Sequence, residues 1–198
     1  MTAPVTPTWQ QIVTLLQDFA PATARVIRPP APATEVQRVL SVLPAEPPAD
    51  LLAWWAAMDG IDDEQDYRAG ALIPHHFVPL AVQRVREEYL RQREYRDPTC
   101  CTDDNRHDKP AGESVFPYCT ALIPVCRSID GGMLCVDTRP GAQYGCLMDW
   151  YASEGAYAAE WHSVTHMLND VAGRLGGTGP GAAAVDDEGM LDWNSDLG

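Results

Sequence analysis

Three short apolar runs separated by turn residues dominate the second half of the chain. They read YCTALIPVC (118–126), MLCVD (133–137) and GCLMDWY (145–151). Runs of this length, rich in β-branched and aromatic residues and bounded by turn residues, predict successive β-strands. In the middle run both alternating sets of side chains are apolar, so we expect a central strand that is covered on its two faces.

The double glycine Gly131–Gly132 stands between the first two runs. Glycine reaches positive φ without steric cost, so this pair predicts a hairpin turn between residues 120–127 and 133–138. We expect Asp137, where the middle run ends, to hold the following loop through hydrogen bonds to turn N–H groups. Gly60 follows an apolar helical pattern and is expected to cap the end of that helix. Structural roles in turns are therefore predicted for Gly60, Gly131, Gly132 and Asp137.

Helical patterns lie on both sides of these strands. Apolar residues recur on one helical face in residues 9–19 and 36–43, and each stretch is preceded by a Thr with a Gln three residues later, the form of a capping box. The predicted helices start at Thr8, at Thr34, after Pro47–Pro48, near residue 80 and after Ser163. Helices, then strands, then a helix indicate an α+β fold with a central, mostly antiparallel sheet wrapped by helices.

A chain of 198 residues is expected to form a single domain. We place that domain at residues 1–175, followed by a Gly- and Ala-rich linker at 176–184. Residues 185–198 contain VDDEGMLDW, which predicts a small hairpin or tail that packs on the domain.

The charge balance restricts the classes of partner. Asp and Glu number 28 against 14 Lys and Arg, giving a formal net charge of −14. Nucleic acid and anionic membrane are disfavoured because they need clustered basic residues, whereas a basic protein partner is favoured. The first 19 residues lack the basic and apolar regions of a signal peptide, and no apolar stretch is long enough to span a bilayer. We therefore expect a cytoplasmic protein with reduced cysteines.

The sequence contains no established catalytic, cofactor or metal motif. Gly131–Gly132 precedes a strand and is not part of a dinucleotide or phosphate-binding fingerprint. The cysteines lack zinc-site pairing, and no nucleophile signature is present, so we predict no catalytic residue and no cofactor. One alternative remains open, a metal-binding enzyme or sensor built from the chain's paired histidines. These are His75, His76, His162 and His166.

Acidic residues are concentrated in polar segments between the predicted helices and strands. Such clusters are either a solvated surface or a docking surface for a basic partner. The residues we expect to contact a partner are Asp62, Asp63, Glu64, Asp103 and Asp104.

Four segments together resemble the SUKH superfamily, which includes a fungal cell-wall assembly regulator and many bacterial proteins. The segments are LPAEPPADLLAWWAAMDG, HHFVPLAVQRV, ALIPVCRSIDGGMLCVDTRPGAQYG and WHSVTHMLNDVAGRL, and the terminal VDDEGMLDW is similar to the tail of bacterial members. In the family, a glycine usually stands where this chain has Gly60, and an acidic residue where it has Asp137. Many members carry Gly-Asp where this chain has Gly131–Gly132, which weakens any role for an acidic residue in that turn.

The resemblance implies an α+β fold without catalytic residues. Bacterial members act largely as immunity proteins, which bind and neutralise toxins delivered between competing cells. We therefore expect a non-enzymatic protein-binding module, an immunity protein that neutralises a basic bacterial toxin through an acidic, partly aromatic surface. A regulatory scaffold that binds a cellular partner is the second possibility, and the histidine-based metal protein is the third.

Overall fold

The computed structural model describes residues 5–62, 68–94, 107, 109–177 and 181–193. Helices precede and follow a central sheet, and within the described ranges every helix is too short or too polar to cross a membrane. The helices are α1 (Val5–Phe19), α2 (Pro21–Arg25), α3 (Ala33–Leu40), α4 (Ala49–Trp55), α5 (Val82–Arg93) and α6 (Val164–Leu175).

The central sheet has five strands in the order β1-β2-β3-β4-β5, and every neighbouring pair is antiparallel. Each strand therefore lies beside its chain neighbour, and β3 lies at the centre. The strands are β1 (Phe77–Pro79), β2 (Leu122–Ser128), β3 (Met133–Asp137), β4 (Leu147–Tyr151) and β5 (Gly155–Trp161). The predicted α+β class with an antiparallel sheet is confirmed.

One face of the sheet is covered by helices. The apolar spacing of α1 places Trp9, Ile12 and Leu16 on a single buried side, as a period of 3.6 residues requires. This side packs on α6, and both helices share the larger core with Leu134 and Val136 of β3. Burial of this continuous apolar surface is the main stabilising contribution to the fold.

The helix starts differ from the capping-box predictions. Thr8 lies inside α1, where its Oγ1 donates a hydrogen bond to Asn169 Oδ1 of α6 at 3.2 Å. Thr34 likewise lies inside α3, whose N-cap is Pro32. Ser163 is the N-cap of α6 as the sequence indicates, because its Oγ accepts a hydrogen bond from His166 N at 3.1 Å. Contacts with other helices outweigh the local capping preference at Thr8.

The second face is covered by residues 109–121, which we call the covering segment. It is anchored by Trp150 Nε1, which donates to Pro117 O at 2.6 Å, and by the bridge between Val115 and Ala156. The run YCTALIPVC is therefore a strand only from Leu122 onward. The smaller core beneath the covering segment includes Val115, Tyr118, Cys119, Ala121, Met133, Cys135, Met148 and Trp150.

A fully buried ion pair holds the covering segment at its first residues. Asp137 and Arg139 are both 0% exposed, and Arg139 Nη2 lies 2.7 Å from Asp137 Oδ2. Asp137 also accepts hydrogen bonds from the N–H groups of Gly112 and Arg139, at 2.9 and 3.0 Å. Arg139 Nη2 donates to Glu113 O at 2.6 Å. The pair thus links the end of β3 to the covering segment.

The C-terminal strands β6 (Ala184–Val185) and β7 (Leu191–Asp192) form a separate antiparallel hairpin. Leu191 N donates to Thr23 Oγ1 at 3.0 Å, and Trp193 Nε1 donates to Ala71 O at 2.8 Å. Trp193 is buried within the larger core. The hairpin is therefore packed on the domain rather than projecting from it.

Candidate protein-binding surface

The turns between β2 and β3 and between β4 and β5 lie at the same end of the sheet, because each strand pairs with its chain neighbour. Polar, aromatic and apolar side chains extend from these turns along β4 and β5. Asp149 lies opposite Leu134 of the helix-covered face, and Glu160 lies toward the other end of β5, next to the pairing of Trp161 with Leu147. We call this group the hairpin tip. Its members are His75, Ile129, Asp130, Asp149, Tyr151, Tyr157 and Glu160.

Tyr151 crosses from β4 to the first turn. Its Oη donates to Asp130 Oδ2 at 2.8 Å, and Asp130 Oδ1 accepts from Gly132 N at 3.3 Å. A Cβ on Gly132 would lie 2.7 Å from the Tyr151 ring, so glycine leaves the space that the ring occupies. Gly131 has φ 97° and open space around its Cα, so its role in the turn is conformational. The two glycines therefore serve different purposes.

Hydrogen bonds set the electrostatics of this pair. Burial raises the pKa of Tyr151 to about 12, and the hydrogen bond to Asp130 adds to the effect. Partial burial opposes ionisation of Asp130, but hydrogen bonds from Ser128, Tyr151 and Gly132 outweigh it and lower its pKa. Asp130 is therefore held as a carboxylate on the turn.

Apolar side chains project beside these polar groups. Ile129 is 49% exposed in the first turn, and Tyr157 of β5 is 40% exposed. The Tyr151 and Tyr157 rings meet edge to face with centroids 6.4 Å apart. Exposed apolar residues that are clustered rather than scattered mark surfaces used for interaction.

The loop before β1 brings a histidine to the same surface. His75 and His76 have φ values of 63° and 59°, in the left-handed region that non-glycine residues rarely adopt. His75 Nε2 lies 3.2 Å from Glu160 Oε1, and the His75 ring lies 6.3 Å from the Trp161 ring. The hydrogen bond with His75 lowers the pKa of Glu160. The strained loop thus positions His75 against β5.

Asp149 is the least compensated carboxyl group of the hairpin tip. It is partly buried on β4, opposite Leu134, and its Oδ1 is buried with no hydrogen-bond partner among the described residues. Burial raises its pKa to about 6, and the carboxylate of Asp130 raises it further, whereas His75 and a hydrogen bond from the backbone N–H of Trp150 act in the opposite direction. Part of the Asp149 population is therefore protonated just below neutral pH.

Of the predicted acidic contact residues, the structure describes Asp62, which lies away from the hairpin tip. Asp62 lines a separate cleft of about 600 Å³ that also contains Asp59, Arg28 and Arg84, so acidic and basic groups alternate there. The remaining four predicted contacts lie outside the described residues. They are Asp63, Glu64, Asp103 and Asp104.

The four candidate metal-binding histidines form two pairs, His75 and His76 in the loop before β1 and His162 and His166 at the start of α6. His75 faces Glu160, whereas His162 and His166 stack on each other at the start of α6 with centroids 5.3 Å apart. Across the part of the chain that the structure describes, no three His, Cys, Asp or Glu side chains come together as a metal site would require. The arrangement offers no support for the metal alternative.

The predicted turn residues have defined structural surroundings. The prediction that Gly60 caps the preceding helix is wrong, because α4 ends at Trp55 and its C-cap is Ala56. Gly60 has φ 67°, and a Cβ there would lie 2.3 Å from the backbone of Leu80 and Ala81, so the close approach of the two segments requires glycine. Next to it, the buried Asp59 accepts hydrogen bonds from Val82 N at 2.8 Å and Arg28 Nη2 at 3.0 Å. Asp137 binds turn N–H groups, and the ion pair with Arg139 is an addition that the sequence did not indicate.

Sequence reasoning missed the hairpin tip as a site. Asp149 is the single charged residue in an apolar run, and this was the available signal for a functional residue. The proximity of Tyr157, Glu160 and His75 depends on the pairing of β4 with β5 and on the path of a loop, neither of which a local pattern reveals.

No protein-family model and no curated protein matches this chain.

Proposed function

We propose that this protein is a non-enzymatic binding module that holds a basic protein partner on its hairpin tip. In keeping with the resemblance to the SUKH superfamily, the partner is a toxin and the protein is a cytoplasmic immunity protein. The observation that carries the proposal is the exposed Tyr157 ring, packed on Tyr151 among the carboxylates of Asp130, Asp149 and Glu160. Ile129, also exposed, precedes Asp130 in the first turn.

Each component of this surface has a defined role in association. The net charge of −14 attracts a basic partner over a distance and raises the association rate at low salt. The aromatic and aliphatic side chains supply apolar contact. In protein interfaces a few such side chains contribute most of the binding energy. Tyr151 is held by Asp130 and Gly132 before any partner arrives, so little conformational entropy is lost there on binding.

The test is affinity capture with matched variants. The tagged protein is incubated at low and high salt with extracts of its own cells and of competing strains, and retained proteins are identified by mass spectrometry. Tyr157→Ala and Ile129→Ala remove exposed apolar side chains of the hairpin tip. Phe19→Ala is the matched control, since Phe19 is 39% exposed on α1, close to the 40% of Tyr157.

We expect one basic partner, retained less at high salt because screening weakens charge attraction. Tyr157→Ala should weaken its binding roughly tenfold, whereas Phe19→Ala should leave it unchanged. A partner that binds all variants equally would refute the hairpin tip as the binding surface.

A growth assay separates immunity from regulation. The captured partner is expressed alone and together with the protein. Under the immunity proposal the partner alone arrests growth, co-expression of the wild-type protein restores it, and co-expression of Tyr157→Ala restores it less. A harmless partner would point instead to a regulatory scaffold.

A further inference from the structure

We infer that the hairpin tip recognises an arginine side chain of the partner, which inserts between the carboxylate of Asp149 and the rings of Tyr151 and Tyr157. This inference rests on the proposed function and specifies the chemistry that the partner must present. It is carried by two independent observations, a carboxylate oxygen without a hydrogen-bond partner among the described residues and an aromatic pair of which Tyr157 is exposed and Tyr151 half-buried.

The carboxylate is that of Asp149. Its Oδ1 has lost contact with water and receives no hydrogen bond from any described residue. A polar group in this state raises the free energy of the unbound protein, and an incoming cation that donates hydrogen bonds recovers that cost. Oδ1 itself is not accessible to solvent, so contact with the cation requires the partly exposed Asp149 side chain to turn toward the surface.

Other charged groups face Asp149 from every neighbouring element. Asp130 lies on the turn before β3, Glu160 lies on β5, and His75 lies on the loop before β1. Asp130 already accepts hydrogen bonds from Ser128, Tyr151 and Gly132. Glu160, in contrast, is hydrogen-bonded to His75 alone among the described residues, and a carboxylate offers about four acceptor positions. The carboxylates therefore outnumber His75 and favour a cation beside Asp149.

The aromatic pair favours arginine over lysine. A guanidinium is planar and weakly hydrated, stacks on aromatic faces and donates two parallel hydrogen bonds to one carboxylate. The Tyr151 and Tyr157 rings are inclined at 70°, so they present surfaces in two directions next to the carboxylates. Lysine offers a compact, strongly hydrated charge that uses such surfaces less well.

Binding should depend on pH through Asp149. A protonated carboxyl group no longer attracts a guanidinium, and arginine itself stays charged at all relevant pH values. The pKa of Asp149 is about 6, so affinity should be full above neutral pH and fall about tenfold per unit below pH 6.

The experiment is a titration of the isotope-labelled protein followed by NMR, with acetyl-arginine-N-methylamide as the probe. Acetyl-citrulline-N-methylamide is the control, because it has nearly the same shape but no charge. We expect saturable shifts of the backbone amides of Asp130, Asp149 and Tyr157 with the arginine probe at pH 7.5, and none with citrulline.

Asp149→Asn should weaken binding about tenfold or more and abolish the pH transition near 6. Asp187→Asn is the matched control, since Asp187 is an exposed residue of the C-terminal hairpin and its replacement removes the same charge. This variant should change binding less than about twofold. The thermal unfolding of Asp149→Asn, recorded in parallel, shows that the variant is folded.

Three outcomes would overturn the inference: equal shifts with citrulline, shifts that do not saturate, and a pH transition that persists in Asp149→Asn. A captured partner that needs Tyr157 but binds Asp149→Asn as well as wild type would also refute it, while leaving the protein-binding proposal intact. Failure of the proposal itself would appear separately, as a partner indifferent to Tyr157→Ala.

Discussion

Asp137 and Asp149 lie on adjacent strands of one sheet but in opposite electrostatic situations. Asp137 is 0% exposed and is surrounded by donors, namely Arg139 and the N–H groups of Gly112 and Arg139. Asp149 is partly exposed, its Oδ1 has no partner in the described structure, and two of the groups facing it, Asp130 and Glu160, are carboxylates.

Asp137 therefore stabilises the fold, whereas Asp149 is the carboxylate that we propose to bind the partner. The first fastens the covering segment to the end of β3, and all of its partners belong to the same chain. The second is only partly compensated, by His75 and the backbone N–H of Trp150, at a surface where apolar side chains are exposed. A group that destabilises the free protein is expected where a ligand supplies the missing interaction.

The largest predicted effect is the loss of stability when the ion pair between Asp137 and Arg139 is broken. Arg139→Met leaves a carboxylate fully buried without its cation and should reduce the free energy of unfolding by about 3–5 kcal/mol. Urea denaturation followed by tryptophan fluorescence measures the change. Combining Asp137→Leu with Arg139→Met removes both charges and should recover much of the loss, because no unpaired charge remains.

The matched control for this prediction is Arg38→Met. Arg38 pairs with Glu35 on the exposed side of α3, so its loss should cost less than about 1 kcal/mol. An equal loss of stability in Arg38→Met and Arg139→Met would contradict the importance of burial.

The second prediction concerns Asp149, whose replacement should increase the free energy of unfolding. Its pKa of about 6 in the folded protein exceeds the value near 3.9 of an unfolded chain, so the folded state binds more protons between these values and loses stability as pH rises through them. Asp149→Asn should therefore stabilise the protein above pH 6, by about 1 kcal/mol once solvent screening of a partly exposed group is allowed for.

Urea denaturation of Asp149→Asn and wild type at a series of pH values measures this gain. The advantage of the variant should shrink below pH 6 and vanish below about pH 4, where both folded and unfolded wild type are protonated. A variant less stable than wild type at pH 8 would show that Asp149 is compensated after all.

The smallest effect is expected at the hydrogen bond between Tyr151 and Asp130. Tyr151→Phe removes a donor at the surface and should cost about 0.5–1 kcal/mol. The pKa of Asp130 should rise, because a hydrogen bond to its charged form is lost. Carboxyl-carbon NMR titration reports that pKa directly, and an unchanged value would mean that Ser128 and Gly132 alone hold the carboxylate.

Much of the fold was predictable because its signals are local. The periodic apolar faces of α1, α5 and α6 and the buried run of β3 appear in the sequence and in the structure alike. Two strands were missed. β1 has only three residues, and β5, GAYAAEW, contains small and polar residues of low strand propensity. Pairing with β2 and β4, respectively, supplies the hydrogen bonds that local preference does not indicate.

The covering segment was harder to predict for a different reason. Its first residues are polar and without periodicity, which is typical of an exposed loop. Two side chains hold it in place. Arg139 donates to the backbone carbonyl of residue 113, and Trp150 Nε1 donates to that of residue 117. Any residue can supply a backbone carbonyl, so the sequence contains no specific mark of these contacts.

The sequence by itself determined the α+β class, the central position of β3, the turn glycines and the acidic character that favours a basic partner. Only the tertiary structure decided that Asp137 is paired with Arg139, and that Oδ1 of Asp149 has no partner among the described residues. It also placed Tyr157, Glu160 and His75 near Asp149. The physical reason is the range of the interactions. Helical and strand periodicities act over a few residues, whereas the hairpin tip is assembled from segments as far apart as His75 and Glu160.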